Sequence, residues 1–171
     1  SRRKGFDSVI RCLPEVLQAG MDVHYAIIGI GEDDAYLRAL AEEAGVSDRV
    51  HFLGHVPMED LPRWYNACDL FVLANRDIAG DTEGFGIVFL EAAACGKAAI
   101  AGKAGGTGSA VIEGVTGIRV DANSSQSLLV ALSRILRDDG AREQFGRAGR
   151  QRTAEFLNWQ AVAEKTRALV M

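Results

Sequence analysis

Strand-length apolar runs alternate with longer helical patterns along this chain, and that alternation limits the fold more than any single residue does. The runs at Val23–Ile30, Val50–Leu53, Leu70–Ala74, Ala98–Ala101 and Gly117–Val120 are short and apolar-rich, as expected of strands covered on both faces. Helical periodicity fills Gly5–Ala19, Asp33–Ala44, Glu59–Asn66 and Gly86–Cys95, and a short helix is predicted at Ser109–Glu113 behind a glycine-rich turn. After Asp121 the pattern is helical only, over Ser125–Arg137, Ala141–Phe156 and Trp159–Leu169, with breaks at Gly140 and Asn158. Such an order specifies an α/β fold, a parallel sheet with helices on both faces and a helical C-terminal tail. No repeat, low-complexity tract or linker divides the 171 residues, so one domain is expected over 1–171.

Composition excludes several classes. The longest apolar runs fall far below the roughly 18 residues of a membrane span, and nothing signal-like opens the chain, so a cytoplasmic protein is expected. A net charge of −4 gives no electrostatic reason for nucleic-acid binding. Cys12, Cys68 and Cys95 are odd in number and widely spaced without a CxxC, which predicts reduced, buried thiols. His51 and His55 flank a strand-like run, but no third ligand accompanies them, so no metal is expected.

One stretch carries chemistry. In Glu83-Gly84-Phe85-Gly86-Ile87-Val88-Phe89-Leu90-Glu91, one carboxylate stands just before a glycine-opened helix and another lies inside it. Glu91 is the only charge between Gly84 and Gly96, and a carboxylate among apolar side chains is costly unless something hydrogen-bonds to it. The glycines let backbone approach a ligand, and the free N–H groups of a first helical turn suit an anion. Together they suggest a phosphate cradle flanked by two acceptors for sugar hydroxyls. The plainer alternative makes Glu83 a loop acid and lets Glu91 reach solvent; a third makes the pair a glycosidase acid and nucleophile, for which this separation promises no particular spacing.

Other motifs fail on inspection. Gly29-Ile30-Gly31 follows a strand, but acids Glu32, Asp33 and Asp34 stand where a dinucleotide fingerprint needs its third glycine. Gly102-Lys103-Ala104-Gly105-Gly106 lacks the P-loop frame, and Gly106-Thr107-Gly108-Ser109 is no nucleophile elbow.

Arg3-Lys4-Gly5-Phe6-Asp7, Ile27 to Gly31, Val50 to Gly54, Cys68 to Leu73, Glu83 to Glu91, Gly105-Gly106 and Gly114 to Gly117 occur in the order of one family. The chain resembles the C-terminal, donor-binding half of a retaining GT-B glycosyltransferase, in the group that includes bacterial phosphatidylinositol mannosyltransferases. The resemblance implies a Rossmann-like domain that binds a nucleotide-activated sugar, such as a GDP- or UDP-sugar, for retaining transfer to a hydroxyl acceptor. By the same resemblance Glu91 accepts from ribose hydroxyls and Glu83 from those of the donor sugar. Backbone at Gly84, Phe85, Gly86, Ile87 and Val88 meets sugar and diphosphate, backbone near Val56 meets the base, and Lys4 neutralises the diphosphate in place of a metal ion. Lys4 and Glu83 are thus the expected catalytic residues, with no cofactor.

The resemblance also implies what lies elsewhere. A sugar or lipid acceptor would be held by an N-terminal domain outside these residues, and the complete enzyme would work in the cytoplasm or at the inner face of the membrane. The family's first strand, central between Val23–Ile30 and Leu70–Ala74, is missing here, because Ser1-Arg2-Arg3-Lys4 runs almost directly into a helix. Its neighbours are expected to separate or pair directly unless an upstream segment fills the gap. The family's arginine about five residues before the lysine has no counterpart, Ala98 stands where proline is common, and Gly108-Ser109 replace a proline and an acid. A non-catalytic nucleotide-sugar sensor or degenerate scaffold is the rival reading; the intact Glu83 and Glu91 pair weighs against it.

Overall fold

The computed structural model describes residues 1–170. A 3-10 turn over Arg2–Lys4 leads into helix α1, Phe6–Gln18. Gly5 joins them with φ 72°, and a Cβ there would lie 1.9 Å from the Ala74 carbonyl oxygen, so only glycine lets this turn press against the chain leaving the third strand. The Arg3 carbonyl accepts from the Arg76 N–H at 2.8 Å and fixes the same contact.

Helix α1 is the shared wall of two cores. Val9, Cys12 and Val16 on it pack with Ala98, Ile100, Leu128, Leu132 and Ile135, while Ile10 and Leu13 pack with Ile27, Leu37, Leu40 and Val50. This is the i, i+3, i+4 spacing of an apolar helical face. Each fully buried Leu or Ile contributes about 1.5–3 kcal/mol.

The strands form two sheets. In the smaller, β1 (Tyr25–Ile28) runs parallel to β2 (Val50–Gly54), with helix α2 (Asp34–Glu43) between them in sequence. In the larger, the parallel order is β3 (Leu70–Leu73), β4 (Ala98–Gly102), β5 (Gly117–Val120), with helices α3 (Leu61–Ala67) and α4 (Ile87–Ala94) before and after β3. Every residue of β4 is buried. Ala98 and Ile100 face α1 and α5 (Ser125–Arg137); Ala99 and Ala101 face Phe89 of α4, so helices cover both faces. No ladder joins β1 to β3 among the described residues, so these two strands, expected to separate or pair directly, do not pair. Tyr25 and Val23, packed against both cores, lie at this seam.

Two boundaries correct the sequence expectation. No helix forms at Ser109–Glu113; a 3-10 turn spans Gly105–Ser109 instead, because the buried Thr107 hydroxyl donates to the Gly102 carbonyl at 2.8 Å and folds the chain back early. Helix α6 runs Asp139–Phe156 and includes Gly140, since the Asp138 carboxylate accepts from the Ala141 N–H at 2.8 Å and caps the helix upstream of the glycine. Asn158 does mark a break and caps α7, Trp159–Val170. The cysteines are free thiols, but only Cys12 is buried; Cys68 and Cys95 are half-exposed at helix ends. No helix is long and apolar enough to cross a membrane among the described residues.

Candidate functional site

The chain segments that follow β1 and β3 meet at the Arg2–Lys4 turn. Arg2 Nε donates to Asp33 at 2.9 Å, beyond β1, and its guanidinium lies over the Tyr36 ring; Arg3, through Arg76, touches the chain beyond β3. Arg76 Nη2 lies 2.8 and 2.9 Å from the two Asp7 carboxylate oxygens and its Nη1 donates to Ser8 Oγ at 2.7 Å, which secures the start of α1 to that chain.

Beneath the site lies a small polar floor. Asn75 is fully buried; its Oδ1 accepts from the Gly102 N–H at 3.0 Å and its Nδ2 donates to the Ala104 carbonyl at 2.9 Å. Thr107, equally buried, ties Gly102 to the next turn. On this floor Gly105 and Gly106 receive the loop before α4. The Gly106 N–H donates to the Gly84 carbonyl at 2.8 Å, and a Cβ at Gly105 or Gly106 would stand 1.9 Å from the Glu83 carbonyl oxygen or 2.3 Å from that of Gly84. The glycine pair therefore sets the height of the Glu83 loop, rather than forming only a tight turn.

Glu83 ends in a cluster of charges. Its Oε2 accepts from Lys4 Nζ at 2.7 Å and from Arg3 Nη1 at 2.7 Å, while Arg3 Nε pairs with Asp81 at 3.0 Å. Burial alone would raise the Glu83 carboxyl pKa; the hydrogen bonds and charges of Lys4 and Arg3 outweigh it and hold the group below its ordinary range. The structure thus brings the two expected catalytic residues, Lys4 and Glu83, into direct contact. Gly86 is buried as the N-cap of α4, Phe85 and Ile87 are exposed, Gly84 is exposed, and Val88 is half-buried.

Glu91 does not run out to solvent. It is half-buried, and its Oε2 accepts from the Tyr65 hydroxyl at 2.7 Å, which answers the cost of a carboxylate in an apolar helix. Val56 lies two residues past β2, half-buried, and the contacts that join Lys4 to Glu83 do not extend to it. His51 pairs with His24 at 2.8 Å rather than with His55, and no group of three or more His, Cys, Asp or Glu side chains is gathered as metal ligands among the described residues.

Sequence reasoning missed Arg3, Tyr65, Asn75 and Thr107. Only Asn75 carried a signal, as a lone amide directly after an apolar strand.

Residues 1–152 match the family described as glycosyl transferases group 1. The chain belongs to that family. Over 160 residues it is 37% identical to a GDP-mannose-dependent alpha-(1-6)-phosphatidylinositol monomannoside mannosyltransferase of Mycolicibacterium smegmatis, covering 92% of this chain and 41% of that protein. HepE of Anabaena, solved in complex with UDP, superposes with a TM-score of 0.82 at 26% identity, over 98% of this chain and 46% of HepE. The C-terminal domain of a group 1 glycosyl transferase from Francisella tularensis superposes with a TM-score of 0.80 at 26% identity, over 94% of this chain and 83% of that domain. The chain therefore has the architecture of the C-terminal half of a GT-B glycosyltransferase, and it spans 41% to 43% of the length of its mannosyltransferase relatives.

Proposed function

We propose that this chain is the donor-binding domain of a retaining hexosyltransferase, which holds a nucleotide-activated sugar for transfer to a hydroxyl acceptor. The observation that carries this is the contact between Lys4 and Glu83, which are 79 positions apart in sequence and meet at 2.7 Å beside the start of α4. A sugar diphosphate asks for that combination: a cation and helix N–H groups for the departing diphosphate, and a carboxylate for the sugar hydroxyls. Gly84, Phe85, Gly86, Ile87 and Val88 present backbone to sugar and phosphates, Glu91 takes the ribose hydroxyls, and the chain at Val56 takes the base. Lys4 supplies the neutralising charge, so the proposal includes no metal ion. No side chain here is assigned as a covalent nucleophile.

The name of the Mycolicibacterium relative makes GDP-mannose the first donor to test. Calorimetric titration of the full-length protein separates the two glutamates. Glu91→Gln is expected to weaken GDP and GDP-mannose alike by roughly 10- to 100-fold, since a hydrogen bond to a charged acceptor contributes about 1.5–3 kcal/mol. Glu83→Gln is expected to cost no GDP affinity, since losing its charge frees Lys4 for the phosphates, while lowering donor affinity or turnover. Equal losses of GDP affinity in both variants would sink the division of roles. If neither variant lost affinity for GDP or a UDP counterpart, and turnover held, the donor site itself would be wrong.

The acceptor, a sugar or lipid hydroxyl, is proposed to sit on a domain outside residues 1–171, with membrane association belonging to that complete enzyme. The seam between β1 and β3 supports a companion proposal, that a strand from outside these residues pairs with both edges, because parallel strands buried in an α/β sheet otherwise leave backbone groups unpaired. Hydrogen exchange tests it. Amides of both β1 and β3 are expected to be more protected in the full-length protein than in a fragment of residues 1–171, and identical protection would refute the inserted strand.

A further inference from the structure

The Tyr65 hydroxyl reaches Glu91 across 26 positions of sequence, and everything around the ring holds it there. Tyr65 lies edge-on to Phe71 of β3 (centroids 5.7 Å apart, 60°), and Phe71 lies edge-on to Phe89 (5.5 Å, 85°), which is 1% exposed and sits on α4 two residues before Glu91. One chain of rings therefore registers α3 against the helix that carries the carboxylate. The next residue, Asn66, offers its carbonyl to Lys97 Nζ at 2.8 Å, which pins the end of α3 to the turn after α4. Burial and the neighbouring carboxylate push the Tyr65 phenol pKa far up, so the group stays a donor at any working pH.

The bond uses one lone pair of Oε2. A carboxylate oxygen accepts twice, and no described residue donates to Oε1. Three acceptor directions remain on a side chain whose rotamer is already chosen, and vicinal hydroxyls can take two of them. A glutamate without this bond would have to be ordered when the ligand arrives, at a cost in affinity.

We propose that Tyr65 is a positioning residue that presets Glu91 for the vicinal hydroxyls of a ribose, and so contributes to the choice of ribonucleotides over deoxy analogues. The proposal rests on the assignment of Glu91 to the ribose given above. The probes are GDP and 2′,3′-dideoxy-GDP, titrated calorimetrically into the full-length protein, its Tyr65→Phe, Glu91→Gln and double variants. Phenylalanine keeps the ring packing, and an unchanged thermal midpoint checks the fold.

Tyr65→Phe is expected to weaken GDP by about 3- to 10-fold while leaving dideoxy-GDP affinity unchanged, and to add nothing in the Glu91→Gln background. A loss shared equally by both ligands, or a further loss in the Glu91→Gln background, would show that Tyr65 acts elsewhere than through the carboxylate. If Glu91→Gln reduces the preference for GDP and Tyr65→Phe does not, the positioning role alone fails. If Glu91→Gln leaves the preference intact, the ribose assignment fails, and the role of Tyr65 with it.

Discussion

Lys4→Met in the full-length protein is expected to lower the turnover of sugar transfer by about 10²- to 10³-fold, the range seen when one preorganised stabiliser of developing charge is removed. The structural reason is placement. Lys4 is held by the Arg2–Lys4 turn, itself fixed through the Arg3 carbonyl and the Gly5 contact with Ala74, so its ammonium is aimed before any ligand arrives. Methionine keeps the stem and removes the charge. Arg3 keeps its bond to Glu83, so the loop carrying the carboxylate stays in position, and affinity for a neutral nucleoside is expected to change little. Steady-state kinetics with the donor that titration identifies make the measurement. Turnover within about threefold of the parent would reduce Lys4 to a structural partner of Glu83, well short of the loss its assigned role requires.

Arg76→Met is expected to have the largest effect on stability, about 3–5 kcal/mol, because it leaves the Asp7 carboxylate, 8% exposed, without its guanidinium partner. The apparent melting temperature of a domain this size should fall by roughly 6–20 °C. The sign depends on removing one partner only. Changing both, Arg76→Met with Asp7→Leu, is expected to recover most of the loss, because an apolar pair of similar volume carries no stranded charge. Urea denaturation of the single and double variants checks this. A single variant that loses less than about 1 kcal/mol would show that water reaches Asp7 and solvates the charge.

The sheet strands were legible because each is a short apolar run, and helices α1, α2 and α5 because their apolar faces repeat at helical spacing. The turn at Gly105–Ser109 was not, since its shape depends on one hydroxyl, Thr107, choosing a carbonyl five residues back. Glu83, Glu91 and Lys4 could be named as candidates from the glycine-opened helix and the family pattern. Their partners could not. Arg3 meets Glu83 across 80 positions, Arg76 meets Asp7 across 69, and a pairing of that range leaves no period in the chain. Arg3 entered the sequence reading only as the residue before Lys4 in the family motif, yet it shares the oxygen that Lys4 uses.

That shared oxygen makes Glu83 a competitor for any anion that approaches Lys4. Any anion that draws Lys4 away must do so against Glu83, which already neutralises it at 2.7 Å. Inorganic phosphate or pyrophosphate can offer Lys4 a replacement charge but brings nothing for Glu83, which is left to Arg3 with unfilled acceptor capacity. On the proposed assignment, a sugar diphosphate would exchange both partners at once, its phosphates for Lys4 and its hydroxyls for Glu83. On that assignment, simple phosphates are expected to gain less at this site than a sugar diphosphate does.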